Sequence, residues 1–239
     1  MENREFNYRN YSAGQQLEMS QAFPVLMRKV YVWMTLALAI TGMTAYYVAT
    51  SPTIIGAILS NSVLFYGLII AEFALVLGLS AAINRLSLFS ATLMFILYSV
   101  VNGATMSFIF LLYEMTSIAT VFFITAGTFG AMAVVGYTTK KDLTSMGRIL
   151  FMGLIGLVIA SLVNIFLKSS GMTLVLSYVG VIIFVGLTAW DSQKIKHMLM
   201  QAPDVSEGTQ KLALLGALTL YLDFINLFIY LLRIFGKRR

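Results

Sequence analysis

Seven long apolar runs constrain the fold of this chain more than any other feature of its sequence. A helix that crosses a bilayer core needs about 20 consecutive apolar residues. Only 11% of the 239 residues are charged, whereas a soluble domain carries roughly 25% charge. The sequence therefore predicts an all-α integral membrane protein with seven transmembrane helices. The predicted spans are residues 30–50, 62–83, 86–112, 115–139, 149–167, 172–193 and 212–232.

Polar segments at the two ends divide the chain into three parts. Residues 1–29 are predicted to form a polar cytoplasmic N-terminal tail. Residues 30–235 form a single seven-helix transmembrane domain, and residues 236–239 form a basic C-terminal tail.

The basic residues between the spans predict an orientation. Alternate loops, counted from the N-terminal tail, carry eleven Lys and Arg residues against one, which places the N-terminus in the cytoplasm by the positive-inside rule. The end of the chain breaks this pattern with Arg233, Lys237, Arg238 and Arg239. Either the last segment crosses fully and carries these charges outside, which we favour, or it is a re-entrant helix.

The composition excludes several kinds of chemistry. The chain has no cysteine and one histidine, His197, so thiol nucleophiles, disulfides, zinc fingers and iron–sulfur clusters are absent. The net charge of +6 is of the kind that basic residues at the ends of membrane spans produce. We therefore expect no nucleic-acid partner.

Three acidic residues are the only charged residues inside the predicted spans: Glu72, Asp191 and Asp223. A central aspartate costs about 2.5–3.5 kcal/mol on membrane-insertion scales. Such residues are retained for packing or function, so these three are the functional candidates.

Helical spacing places Asp223 on a polar stripe with Thr219 and Asn226 in the last span. Asp191 ends a similar row in the sixth span, and Asn102 lies in the third. Such stripes either line a hydrated path or supply hydrogen bonds between helices.

Two aspartates brought together in a low dielectric do not both ionise cheaply, so the pair would share a proton and titrate as a unit. Two carboxylates with further oxygen ligands also suit Ca²⁺, which makes Asp191 and Asp223 candidate metal ligands. Arg85 either neutralises Asp191 or is an ordinary positive-inside anchor.

Two stretches of the sequence resemble a known family. Residues 220–228, LYLDFINLF, and residues 231–233, LLR, are similar to the closing segment of the Bax inhibitor family, the transmembrane Bax inhibitor motif proteins, in its bacterial branch. Residues 189–196, AWDSQKIK, are similar to the segment that ends helix six of that family.

The resemblance implies a fold of two three-helix layers around a central seventh helix. It also implies a pH-sensitive cation leak, chiefly for Ca²⁺, in a bacterial inner membrane. Asp191 and Asp223 match the two aspartates that sense pH, Glu72 matches a family glutamate, and Arg85 lies near the arginine that latches helix two to the first aspartate. The expected partners are the lipid bilayer, Ca²⁺ or other cations, and a membrane protein; no cofactor is expected beyond transiently bound Ca²⁺.

Two other functions stay open at this point. A non-conducting regulator of a membrane protease or of a stress or death pathway would leave no local chemical signature. An intramembrane aspartyl protease would also use two aspartates, but the Gly-x-Gly before the second aspartate and the Pro-Ala-Leu motif are missing. We therefore expect that the protein is not an enzyme.

Overall fold

This computed structural model describes the backbone of residues 13–239 and the side chains of residues 18–239. Residues 1–12 of the predicted N-terminal tail lie outside the described residues. The described chain folds into helices α1 (Ala13–Thr50), α2 (Pro52–Ser60), α3 (Ser62–Ala82), α4 (Leu88–Met106), α5 (Phe108–Leu112), α6 (Met115–Thr138), α7 (Thr144–Leu167), α8 (Ser170–Met200) and α9 (Glu207–Phe235).

Seven helical segments in residues 18–239 are long and apolar enough to cross a membrane, as the sequence predicts. Helices α4 and α5 together form the third of these segments, and α2 is a short additional helix between the first two. Polar residues at three of the breaks, Asn61, Ser87 and Ser169, cap the helices that follow them. The Asn61 side chain accepts hydrogen bonds from the amides of Val63 and Leu64, and these bonds satisfy two of the amides that the first turn of α3 leaves free.

The first helix begins at Ala13, whereas the predicted span begins at residue 30. Helix α1 therefore includes residues 13–29, and the division of the chain into a cytoplasmic tail and a membrane domain stays a prediction. Met19, Ala22 and Leu26 are buried at helical spacing, so an apolar stripe continues through a segment whose average polarity is high.

Helix α9 is the most buried of the seven spans. It packs against α8, α1, α6 and α4, whereas α3 packs mainly on α4 and α7 packs on α8. The last helix is therefore enclosed by four spans and not by six. The contacts join α1, α3 and α4 in one group and α6, α7 and α8 in another, with α9 between them. The arrangement of these groups as two three-helix layers stays a prediction.

Both ends of α9 coincide with the ends of the third span, so the last helix crosses the membrane completely. At its start, the Glu207 carboxylate accepts a hydrogen bond of 2.6 Å from the amide of Leu88, which begins α4. Beyond its end, the amide of Arg239 donates to the carbonyl of Leu112, the last residue of α5, at 3.1 Å. The re-entrant alternative for the last segment is therefore wrong.

The beginning of α9 also lies beside the first helix, because the Lys29 ammonium donates to the Gln210 side chain. This part of α1 and the C-terminus consequently lie at opposite ends of the bundle. The absolute orientation in the membrane stays a prediction.

Cysteine labelling can test that orientation because the chain has no cysteine of its own. We expect Arg239→Cys to react with a membrane-impermeant maleimide in intact spheroplasts. Lys141→Cys, in the loop between α6 and α7, should react only after the membrane is permeabilised. The reverse pattern would invert the predicted orientation, and equal labelling of both in intact spheroplasts would contradict seven crossings.

Candidate functional site

Asp191 and Asp223 face each other across α8 and α9, the most extensively packed pair of helices in the described chain. Gly180 lies against the ring of Tyr230, and Ile195 lies against Gly216. In that antiparallel register, Asp223 lies about one helical turn, ~5 Å along the axis, from the level of Asp191. The two carboxyl groups are within electrostatic range of one another.

The protein shields both carboxyl groups from the surroundings. Asp191 is 6% exposed and Asp223 is 5% exposed, so neither carboxyl group faces lipid. The Asp223 Oδ2 atom is buried and has no hydrogen-bond partner among the described residues. A buried polar atom without a partner is costly, so this oxygen is the least satisfied part of the aspartate pair.

Lys194 supplies the nearest positive charge. Its ammonium lies 4.0 Å from Asp191 Oδ1, three residues along the same helix, and its side chain is 61% exposed. The ammonium also lies 5.0 Å from the centre of the Trp190 ring. Two buried carboxyl groups thus share one exposed counter-charge.

Arg85 is exposed and, among the described residues, forms no ion pair with Asp191, whose partner within 4.0 Å is Lys194. Neutralisation of Asp191, one of the two roles left open for Arg85, is therefore wrong for this conformation. The physical reason lies in the packing, because α3 contacts α4 in one helix group and Asp191 belongs to α8 in the other.

The end of α8 is fixed to α6 and to the following loop by polar side chains. The Ser192 hydroxyl donates to the carbonyl of Ala133 at 3.1 Å. The Gln193 amide group donates to the carbonyl of Lys141 at 2.8 Å and accepts from the amide of Leu143 at 2.9 Å. These bonds hold this face of α8 against α6 and leave Asp191 free to face α9.

Close backbone contacts reinforce this attachment. A β-carbon on Gly136 would lie 2.0 Å from the carbonyl oxygen of Ala189, and one on Gly147 would lie 2.1 Å from the Trp190 ring. Only glycine fits at these two contacts. Sequence analysis missed Ser192, Gln193 and both glycines, although the segment 189–196 that carries the family resemblance contains the first two.

Glu72 belongs to a second polar cluster, which joins α3, α4, α9 and α1. Its carboxyl group faces Asn102 and Thr105, and its Oε1 atom is buried with no partner among the described residues. The Tyr221 hydroxyl donates to Asn102 Oδ1 at 2.9 Å and lies 2.7 Å from the Thr41 hydroxyl. Asn102 thus forms an interhelical hydrogen bond, one of the two roles left open from its sequence.

Thr219 and Asn226 are half-buried beside Asp223 but satisfy their donors within α9. The Thr219 hydroxyl donates to the carbonyl of Leu215 at 3.1 Å. The Asn226 amide donates to the carbonyl of Leu222 at 2.8 Å. Neither bond reaches Asp223. These two side chains therefore lie near its carboxyl group without pairing with it.

Carboxyl groups in the loops have a different environment. Asp142 accepts a hydrogen bond from the amide of Thr144 at 2.9 Å, and Asp204 accepts one from the amide of Ser206 at 3.0 Å. The bonds to Thr144 and Ser206 lower the pKa of Asp142 and Asp204 respectively. Both groups therefore stay ionised at neutral pH and provide controls for substitutions at the buried pair.

The described protein offers few side-chain ligands for a metal ion at the aspartate pair. Residues 18–239 contain no cluster of three or more His, Cys, Asp or Glu side chains arranged to hold a metal ion. Ca²⁺ takes six to eight oxygen ligands, so Asp191 and Asp223 would need backbone oxygens or water to complete its shell.

Residues 24–239 match the sequence model of the family described as inhibitor of apoptosis-promoting Bax1. The chain belongs to the Bax inhibitor family. It is 53% identical over 215 residues to the inner membrane protein YbhL of Escherichia coli K12, covering 89% of this chain and 92% of YbhL. It is also 48% identical over 213 residues to an uncharacterised protein of Borreliella burgdorferi, covering 89% and 92% of the two chains.

The region shared with the Bax inhibitor family includes every residue of both polar clusters and of the α8 attachment. A further relative, an uncharacterised protein of Rickettsia prowazekii, is 46% identical over 215 residues and covers 89% of each chain. The chain is thus an integral membrane protein of this family, and the resemblance found in the two sequence stretches is confirmed.

The Tyr221 hydroxyl should contribute measurably to stability, because its removal leaves Asn102 Oδ1 without this donor. We expect Tyr221→Phe to lower the free energy of unfolding by about 0.6–2 kcal/mol, the range of interhelical hydrogen bonds in membranes. Thermal unfolding in detergent measures the change. Tyr178→Phe, on an exposed face of α8, is the control, and equal stability of the two variants would contradict a structural role for this bond.

Proposed function

We propose that the protein is a cation leak channel, chiefly for Ca²⁺, in a bacterial inner membrane, and that Asp191 and Asp223 sense pH in its pathway. One observation carries the proposal. The Asp223 Oδ2 atom is buried, and no side chain or backbone group in the described part of the chain forms a hydrogen bond with it, while a second buried carboxyl group lies on the adjacent helix.

The charge balance of the pair supports a proton-dependent pathway. When both aspartates are ionised, their two negative charges face one ammonium group that is mostly exposed to solvent. An uncompensated charge in a low dielectric is costly, so the pair takes up either a proton or a cation. Protonation then competes with cation entry, and the flux depends on pH.

The ligand set also suits a leak better than a storage site. Carboxylate oxygens attract Ca²⁺, but two side chains leave most of its six to eight positions to water or backbone oxygens. Conduction needs binding that is favourable enough for entry and weak enough for release. A pair of carboxylates that leaves most ligand positions to water or backbone oxygens supports binding of this intermediate strength.

Lys194 is the residue that we propose to restrain the leak at neutral pH. Its ammonium lies 4.0 Å from Asp191, so it repels a second cation that approaches this carboxylate. Protonation of Asp191 removes the attraction that holds Lys194 in place. This role replaces the one expected of Arg85.

Flux of Ca²⁺ into proteoliposomes at a series of pH values tests the proposed sensor. The wild-type protein should conduct with a pH-dependent rate, and Asp191→Asn with Asp223→Asn should flatten that dependence while retaining the fold. Asp204→Asn keeps a capping oxygen in an exposed loop and should behave as wild type. Absence of flux in the wild type would favour the non-conducting regulator, and unchanged pH dependence in the double variant would move the sensor to Glu72.

A second flux experiment separates Lys194 from Arg85. Removing an exposed ion pair changes the interaction free energy by up to about 1 kcal/mol. We therefore expect Lys194→Gln to raise Ca²⁺ flux at neutral pH by roughly two- to fivefold. The change in acid should be smaller. Arg85→Gln removes the same charge from an exposed site without an ion pair and should leave flux unchanged. A rise with Arg85→Gln alone would restore the latch expected from the family resemblance.

A further inference from the structure

An apolar groove opens between the two helix groups, apart from the aspartate pair and bordered at Thr41 by the second polar cluster. It has a volume of about 420 Å³ and lies between α1, α5 and α6, with α9 forming its floor. Its walls are almost entirely carbon. The residues that define its shape are Gly42 and Tyr46 on α1, Phe110 on α5, Ala119 and Phe122 on α6, and Phe228 on α9.

The groove lies at hydrocarbon depth. Gly42 is eight residues before the end of α1 at Thr50, which is about 12 Å along the helix axis. A β-carbon built on Gly42 meets no atom within 4 Å, so this part of the groove is open to its surroundings. Water finds no polar partners in such a space, whereas an acyl chain fills it without loss of hydrogen bonds.

The C-terminal tail places positive charge at the end of the groove nearest α5. The guanidinium of Arg238 lies 6.0 Å from the centre of the Tyr113 ring, and the Arg239 amide bonds to Leu112. Tyr113 in turn donates its amide to the carbonyl of Ile109, which lines the groove.

The nearby carboxylate does not neutralise these two arginines. Glu114 is paired with Lys237 at 2.9 Å, and the described residues contain no ion pair of Arg238 or Arg239. Both arginines are exposed. Their charges are therefore available to an anion at the membrane surface.

We propose that this groove binds one anionic phospholipid, with an acyl chain between α1 and α6 and the headgroup phosphate at Arg238 and Arg239. The carbon walls recognise the chain, and the two arginines select a headgroup with net negative charge. The site is independent of the aspartate pair and of the proposed channel function.

Native mass spectrometry with added phosphatidylglycerol, and with phosphatidylethanolamine of the same acyl chains, tests the site. The wild-type protein should retain one phosphatidylglycerol in preference to phosphatidylethanolamine. Gly42→Leu fills the groove without touching protein atoms at its β-carbon and should lower affinity roughly tenfold by excluding about two methylenes. Gly127→Leu, an exposed position on α6 that is equally open, should bind as wild type.

Separate substitutions test how much the lipid headgroup contributes to binding. Arg238→Gln with Arg239→Gln should lower phosphatidylglycerol affinity by roughly thirtyfold, the effect of two basic residues near an anionic surface, and leave phosphatidylethanolamine binding unchanged. Lys168→Gln removes a positive charge from the loop after α7, at the same end of the bundle, and should have no effect.

Several results would overturn the proposal. These are the absence of a retained lipid, wild-type affinity in Gly42→Leu, equal retention of both lipids by the wild type, or a dimer that forms without lipid and is broken by Gly42→Leu. If Gly42→Leu does not fold, Ala119→Leu narrows the groove from the opposite wall and must give the same loss.

Discussion

Hydrocarbon offers no hydrogen bonds to a carboxyl group, and this fact fixes the position of the last helix. Asp223 lies midway along α9, so the other helices must cover that face. Helices α1, α4, α6 and α8 pack around α9, while α3 and α7 lie at the outside and remain largely exposed apart from the face of α3 that carries Glu72. The central place of α9 thus agrees with an acidic residue that lipid cannot accommodate.

The two aspartates differ in how firmly their surroundings hold them. Asp191 lies on a segment of α8 that Ser192 and Gln193 attach to α6 and its loop. Asp223 has an oxygen with no partner in the described chain. The pair therefore combines a carboxyl group on a firmly attached segment with one whose oxygen is unsatisfied.

The spans were predictable because hydrophobic length alone identifies a bilayer-crossing helix. The residues of the aspartate pair were predictable for a similar reason, since an acidic side chain inside an apolar run stands out. The start of α1 was not, because Glu18, Ser20 and Gln21 on one side and Arg28 and Lys29 on the other interrupt its apolar residues. Side-chain partners were not predictable either: Tyr221 belongs to the hydrophobic class in the composition, yet its hydroxyl joins Asn102 to Thr41.

The enclosure of α9 has a consequence for biosynthesis. The ribosome delivers this helix last, after the six spans that precede it. The earlier spans therefore enter the bilayer before the segment that forms their common core exists. Helix α9 must therefore pass from the translocon into protein and not into lipid. A nascent chain that is arrested before Glu207 contains two helix groups but lacks the helix that joins them.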